Sequence, residues 1–460
     1  MRQSSPRRPF SGPLASKHHI EWPGNCIALI EVRQREPYNA PIAGAFMLQL
    51  QSAFGVFALL ALAWLLSENR RAVNFSAAAK GLAVTLALAI AFMLSPWMAK
   101  AVASLNAGVD SIASATRAGT SFVFGFLGGG AAPYEITNPA AQFIFAFQAL
   151  PVVLVVSALT TLLFYWGVLQ PLIAGFSLLL NRTMGVSGPV GLSTAANIFL
   201  GMVEAPLFIK PYLNALTRSE LFMVMTGGMA GIAGTVFVLY ASLLRPIIPD
   251  ASGHLLVASV LGAPAALLIA RLMVPETEES KALNAEVPRV ADSSMDAIVR
   301  GTQSGLELYL SILASIIVLV ALVWLCNATL GLLPDVLGGA LSLQRILGWI
   351  MAPVVWLMGV PWSEAVIAGQ LMGVKTVLNE MLAYLELAAT PRDAMSERTR
   401  IIMTYALCGF ANFASLGIML TGLSAMAPVR RADIISLGGR SLVAGTLTTC
   451  LLGAIAGALN

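Results

Sequence analysis

Long apolar blocks separated by short polar clusters dominate this chain, and strand-like alternation is absent. Charge-free stretches cover 51–67, 81–99, 136–181, 183–203, 221–244, 251–270, 308–334, 346–363, 401–429 and 441–460. A helix that crosses a bilayer needs about 20 predominantly apolar residues. The pattern predicts crossings near 48–67, 80–99, 142–168, 221–244, 253–273, 305–333, 397–426 and 437–459. Two apolar segments, about 183–212 and 346–387, fit a simple crossing poorly and read as hairpins that enter and leave on one side. The expected fold is an all-α polytopic membrane protein.

Composition agrees. Of 460 residues, 57% are apolar and 11% charged, whereas a soluble globular domain has about 25% charged residues. A net charge of +4 gives no reason to expect a nucleic-acid partner. Cys26, Cys326, Cys408 and Cys450 are scattered, and no metal-ligand spacing joins them to His18, His19 or His254. No nucleophile–base pattern of an enzyme is present, and no cofactor is expected.

Charges serve here as topology markers. With both hairpins placed, the connections 67–80, 181–220, 271–300 and 428–440 fall on one face. They carry Arg70, Arg71, Lys80, Arg182, Lys210, Arg218, Arg271, Lys281, Arg289, Arg300, Arg430, Arg431 and Arg440. The opposite face carries Lys100, Arg117, Arg245, Arg345, Arg392, Arg398 and Arg400. Cytoplasmic loops are the richer in Lys and Arg, which puts both termini outside.

Six regions follow. Residues 1–46 are basic and polar at first and lack a signal-peptide pattern; they read as a disordered extension or a mis-assigned start ahead of Met47. Scaffold helices and an interfacial helix near 105–130 occupy 47–180. The first hairpin and its following helices take 181–273, a cytoplasmic polar connection 274–303, a scaffold helix 304–342, and the second hairpin with the last two helices 343–460.

Three interruptions carry candidate chemistry. In NIFLGMVEAPLFIKPY (197–212), Gly201, Glu204 and Pro206 break an apolar run. Exposed backbone at membrane depth is tolerated only where protein or a wet cavity covers it. A carboxylate there costs at least about 2.5 kcal/mol, so it is read as functional by default; a structural pairing of Glu204 with Lys or Arg is the competing reading. GVPWSEAVIAGQLMGVKTVLNEMLAYLEL (359–387) brings Lys375, Asn379 and Glu380, and Lys375 is expected to pair with a carboxylate. In CGFANFASLGIML (408–420), Asn412 and Ser415 interrupt the third run, and taken alone they read best as interhelical packing bonds. Interrupted segments in both halves are the mark of a transporter site near the midplane.

In these motifs the chain resembles the concentrative nucleoside transporter family from Met47 onward. The resemblance is carried in order by SENRR, FVFGFLGGG, FIFAFQALPVV, AANIFLG-x-x-EAPL-x-IKPY, MTGGMAGIAG, MGVPWSEA, LMGVK-x-x-LNE and GFANFAS. It implies eight transmembrane helices, two re-entrant hairpins, interfacial helices, an inverted-repeat transport domain and a homotrimer in a bacterial inner membrane. It implies a cation-driven nucleoside symporter working by alternating access. Gly201, Met202, Val203 and Glu204 would meet the substrate, with Glu380, Asn412 and Ser415 on the ribose and Phe410 near the sugar or base. Asn197, Leu200, Gly231 and Ile232 would form the cation site.

Two departures from the family pattern change expectations. Met202 and Val203 replace a polar pair that contacts the nucleobase, which predicts broad or shifted base preference, or a related non-nucleoside solute. Gly231 stands where sodium-coupled members place a serine. The missing hydroxyl tilts the reading toward H+, with Glu204 as carrier, while Asn197 keeps Na+ open.

Overall fold

The computed structural model describes residues 42–136, 142–248, 250–278, 291–336 and 339–460, and the described residues from 42 onward form one compact unit. Residues 1–41 of the expected extension and 279–290 of the expected connection lie outside the described residues. Regular structure among those described is helical throughout. In chain order the helices are α1 (Ile42–Leu65), α2 (Phe75–Met93), α3 (Pro96–Phe124), α4 (Phe145–Gln148), α5 (Val152–Tyr165) and α6 (Leu169–Met184). Next come α7 (Gly188–Ala196), α8 (Glu204–Leu207), α9 (Arg218–Ala230), α10 (Gly234–Leu244), α11 (Ala251–Met273) and α12 (Ser294–Leu330). The last six are α13 (Leu343–Leu357), α14 (Trp362–Val377), α15 (Glu380–Ala389), α16 (Glu397–Leu407), α17 (Phe413–Met426) and α18 (Arg431–Leu459). Seven elements among the described residues are long and apolar enough to cross a membrane, or eight if the bent α13–α14 pair is one span.

Several boundaries move from those expected. The apolar run at 42–46 is already helical, so α1 begins before Met47. At the other end of the polar insert, Ser293 caps α12 by accepting from the Asp296 N–H at 3.1 Å, and Arg300 pairs with Asp296 at 2.9 Å. The last polar residues of the expected connection are therefore the first turns of the scaffold helix. The first hairpin also starts earlier than 183. Its arms are α6 and α7, which pack together across a turn at Gly185, where φ is +60°, a conformation that glycine adopts without steric cost.

The second hairpin turns at MGVPW. Gly359 has φ +98°, and α13 and α14 meet at a bend of 116°. A Cβ at Gly359 would fall on the Ser52 hydroxyl of α1.

The core lies around α9, α11 and α18. In their apolar windows 83%, 83% and 78% of residues are buried, against 6% for α12. Such a helix, apolar with so little buried, faces lipid or other protein. α12 packs chiefly on α5, whereas α18 packs on α1, α9, α11 and α16. Polar contacts tie the loops in two groups. Glu68 holds Arg218 at 2.8 Å and Arg440 at 3.3 Å, and Arg430 donates to the Leu216 carbonyl. Elsewhere Arg245 pairs with Asp110 on α3, and Arg392 donates to the Pro246 carbonyl at 3.1 Å.

Candidate functional site

Two broken helices cross at their breaks. One path is interrupted at 231–233 between α9 and α10, the other at 408–412 between α16 and α17. The Phe410 N–H donates to the Gly231 carbonyl at 3.1 Å, so each break satisfies a backbone group of the other. Asn412 is the N-cap of α17, and its Oδ1 accepts from the Ser415 N–H at 2.8 Å. This satisfies one of the amides that a helix start leaves unpaired. At the other side of the same break, Lys375 is fully buried and its Nζ donates to the Ala406 carbonyl and to Thr449 Oγ1, both at 2.7 Å. The expected carboxylate partner of Lys375 is thus corrected: the ammonium caps the negative end of α16, where a cation is favoured by the helix dipole.

Glu380 opens α15 behind Asn379, whose Oδ1 accepts from the Leu382 N–H at 2.8 Å. Its side chain is buried, and both oxygens are held. Tyr240 of α10 donates its phenol to Oε1 at 2.7 Å, and Asn412 donates Nδ2 to Oε2 at 2.8 Å. Tyr240 is itself packed on Tyr384, with ring centroids 4.8 Å apart, and Tyr384 donates to the Thr404 carbonyl at 2.9 Å. An ionised carboxylate offers about four acceptor positions. Tyr240 and Asn412 fill two and the backbone N–H of Glu380 itself a third, which leaves about one for an incoming O–H or N–H donor. Ser415 is buried on the first turn of α17, and Phe410 is half-buried beside the break.

Tyr240 was not legible in the sequence. A tyrosine inside an apolar run carries the same signal as any core tyrosine, and only the fold shows what its hydroxyl meets.

The first hairpin builds a second cluster. After α7 the chain leaves helical geometry and re-enters it at Glu204. Asn197 is buried, and its Nδ2 donates to the Gly227 carbonyl of α9 at 2.9 Å. Its Oδ1 is buried with no hydrogen-bond partner, as is the Thr194 hydroxyl one turn earlier. Both groups line a small cavity with Gly227, Gly231, Ile232 and Ser259. Leu200 is half-buried and lies outside that lining.

Gly201 and Met202 are buried, and Met202 Cβ comes within 3.1 Å of where a side chain at Gly228 would begin. Val203 Cγ1 lies equally close, 3.1 Å, to the corresponding point at Gly422 of α17. The non-helical segment that follows the hairpin's second arm is therefore wedged between α9 and α17. Glu204 differs from Glu380 throughout. It is exposed, its carboxylate folds back over Gly201, and it meets no hydrogen-bond or ion-pair partner among the described residues. Glu380, Phe410, Asn412 and Ser415 thus sit together, Asn197, Gly231 and Ile232 surround the cavity, and the Phe410–Gly231 bond joins the two groups.

Family profiles cover most of the chain. Residues 54–127 match "Na+ dependent nucleoside transporter N-terminus", 146–247 match "Nucleoside recognition", and 254–457 match "Na+ dependent nucleoside transporter C-terminus". A Haemophilus influenzae protein named an uncharacterized transporter is 38% identical over 89% of this chain and 97% of its own length. The chain belongs to the concentrative nucleoside transporter family. Among relatives in that family, nucleoside permease NupC of Helicobacter pylori is 34% identical over 89% of this chain and 97% of its own. Sodium/nucleoside cotransporter 1 of Mus musculus is 36% identical, and 64% of its length is covered. The solved inward-facing, substrate-bound structure of CNTnw shares 36% identity and a TM-score of 0.80 over 90% of this chain and 98% of that one. Concentrative nucleoside transporters are membrane transporters, not enzymes. The family reading from the ordered motifs therefore holds, as does the all-helical membrane fold.

Proposed function

We propose that this protein is a secondary active symporter that imports nucleosides across a bacterial plasma membrane by alternating access, driven by a cation gradient. The observation that carries this reading is the state of Glu380. A buried carboxylate fixed by Tyr240 and Asn412, with acceptor capacity still open, suits one hydroxyl of a vicinal diol, and Ser415 on the first turn of α17 is at hand for the other. Hydrogen bonds to an ionised acceptor are roughly twice as strong as neutral ones, which gives the ribose a firm anchor. Asn412 serves twice, capping α17 through Oδ1 and holding Glu380 through Nδ2, so the sugar anchor and the broken helix form one unit.

The nucleobase would lie toward the break that follows the first hairpin, against Met202, Val203 and Phe410. Apolar side chains there read shape and surface more than hydrogen-bonding edges, which supports broad base preference. The substrate-bound relative and the nucleoside permease among its kin weigh against a non-nucleoside solute. Glu204, open and unpaired, is suited to meeting substrate at the break after the first hairpin. The barely buried apolar face of α12 supports a homotrimer, with three copies shielding part of that face.

Proteoliposome uptake of labelled uridine tests the reading. Saturable accumulation against a gradient, collapsing when the cation gradient is dissipated, is the expected result. Equal uptake with and without any cation gradient would overturn it.

A further inference from the structure

We propose that Lys375 is a positioning residue for the sugar anchor: its ammonium keeps Glu380 ionised across the α14–α15 turn without touching it. This rests on the nucleoside reading above and adds the charge that balances its anchor. The first observation is burial without ion pairing. Lys375 is fully buried and Glu380 is 5% exposed, and neither belongs to a salt bridge among the described residues. Glu380 is met by a phenol, an amide and its own N–H, and Lys375 by a carbonyl and a hydroxyl. All of these are neutral. A buried charge with no opposite charge nearby tends to be neutralised by gain or loss of a proton.

The second observation is placement. Lys375 stands in the last turn of α14 and Glu380 opens α15, with only Leu378 and Asn379 between the helices. Each lies within reach of the other's charge.

The third is the lack of competitors. The other titratable groups facing the pair are Tyr240 on α10, Tyr384 on α15, Cys408 after α16 and Cys450 on α18. Phenols and thiols are uncharged at neutral pH. Charged groups on the packed elements are engaged elsewhere: Arg245 of α10 with Asp110, Arg345 of α13 with the Ala340 carbonyl, Glu364 of α14 with Ser396. Arg398 and Arg400, near the start of α16, donate to main-chain carbonyls, and Glu397 there is exposed. Arg431, Asp433 and Arg440 lie on α18 more than two turns before Thr449. Glu386 follows on α15, off the face that Glu380 presents.

The arrangement separates charge from contact. An ammonium bonded to Glu380 would fill the acceptor position that a sugar hydroxyl needs. Held on Ala406 and Thr449, Lys375 lends its field and leaves that position open, and a low-dielectric interior lets the field act across the gap. Protonation would instead turn one acceptor oxygen of Glu380 into a donor.

Equilibrium binding of labelled uridine to the full-length protein in lipid nanodiscs at constant NaCl tests this, since no gradient acts there. Lys375→Gln keeps a neutral donor, Lys375→Met keeps only the shape, and Lys375→Arg keeps the charge. Between about pH 7.5 and about pH 5.5, Lys375→Gln and Lys375→Met should lose about tenfold more affinity than wild type, as protons reach Glu380. Lys375→Arg should follow the wild-type profile. A loss equal at every pH in the two uncharged variants would make Lys375 a helix cap alone and overturn the inference, as would the same pH shift in Lys375→Arg. If the uncharged variants bind no uridine, their Tm decides. Without its counter-charge Glu380 holds a proton more tightly in the folded than in the unfolded chain. The Tm deficit against wild type should therefore grow as pH rises and shrink as it falls. A deficit constant with pH overturns the inference. Absence of nucleoside binding by the wild type, with a deficit that shrinks in acid, would instead sink the nucleoside reading and leave the charge pair standing.

Discussion

The two re-entrant regions handle buried polarity in opposite ways. Around the second hairpin the polar groups of the candidate site have protein partners: Glu380 holds Tyr240 and Asn412, Lys375 holds Ala406 and Thr449, and Asn379 and Asn412 cap their helices. Around the first, Thr194 Oγ1 and Asn197 Oδ1 are buried with no hydrogen-bond partner, and Glu204 stands open. One region is fixed by protein partners before anything arrives and keeps only acceptor capacity on Glu380 open; the other holds groups with no protein partner at all. The difference teaches where preorganisation is stored. Rigid polar networks set geometry in advance, while groups left unpaired favour whichever ligand finishes them.

The strongest way to break this contrast is Glu380→Gln. It removes the charge and turns one acceptor oxygen into a donor facing Tyr240 or Asn412. A charge-assisted bond to the sugar is worth about 1.5–3 kcal/mol, and the bonds to Tyr240 and Asn412 are disturbed with it, so kcat/KM for uridine uptake should fall by about a hundredfold. Retention of near-normal uptake would remove the central support for the sugar anchor.

Tyr240→Phe tests the preorganised side more gently. The phenol touches Glu380 at 2.7 Å, and its loss frees the carboxylate to turn. Uptake of uridine should weaken about tenfold. For 3′-deoxyuridine, which has already lost a donor, the penalty should be smaller, giving a non-zero coupling in the double cycle. Equal penalties for both substrates would make Tyr240 a packing residue alone.

A smaller effect sharpens the contrast from the first hairpin. The double change Met202→Gln with Val203→Thr offers directed hydrogen bonds where apolar surface now stands. Competition uptake with purine and pyrimidine nucleosides should show the spread of half-inhibitory concentrations widening about three- to tenfold. An unchanged spread would place base recognition elsewhere.

The smallest effect touches neither region. The hydrogen bond from Arg218, with the nearby charges of Arg218 and Arg440, holds Glu68 below the ordinary carboxylate value of 4.5 despite some burial. A depressed carboxylate stabilises the fold above its unfolded pKa, and that stability is lost as pH falls through the folded value. Glu68→Gln should therefore lower the unfolding free energy at pH 7 by about 1 kcal/mol or less for a partly exposed pair, read as a small fall in Tm. The gap to wild type should close below pH 4.5. A gap independent of pH would argue against the ion pair as its cause.

Much of this was legible because charge is rare in the chain. Glu380, Lys375 and Glu204 stood out against apolar surroundings, and ordered motifs tied them to one family. Other parts carried no such contrast. Tyr240 and Thr194 are ordinary residues of apolar helices until their hydroxyls are placed. The partner of Lys375 is a main-chain carbonyl freed by a helix break, and no side-chain pattern announces one. Hairpin limits were missed for a related reason: hydropathy is the same on both sides of Gly185, and only a left-handed turn marks where α6 reverses into α7.

The bond from the Phe410 N–H to the Gly231 carbonyl also bears on motion. Pulling the two helix breaks apart would strand both groups away from water, whereas carrying them together strands neither. For the alternating access proposed above, the cheaper travel is therefore that of a single carriage, in which both helix breaks move on the same frame. Hinges then belong at its margins, in loops whose amides can reach solvent, and a spacer that stiffens those margins should slow the passage without loosening its cargo.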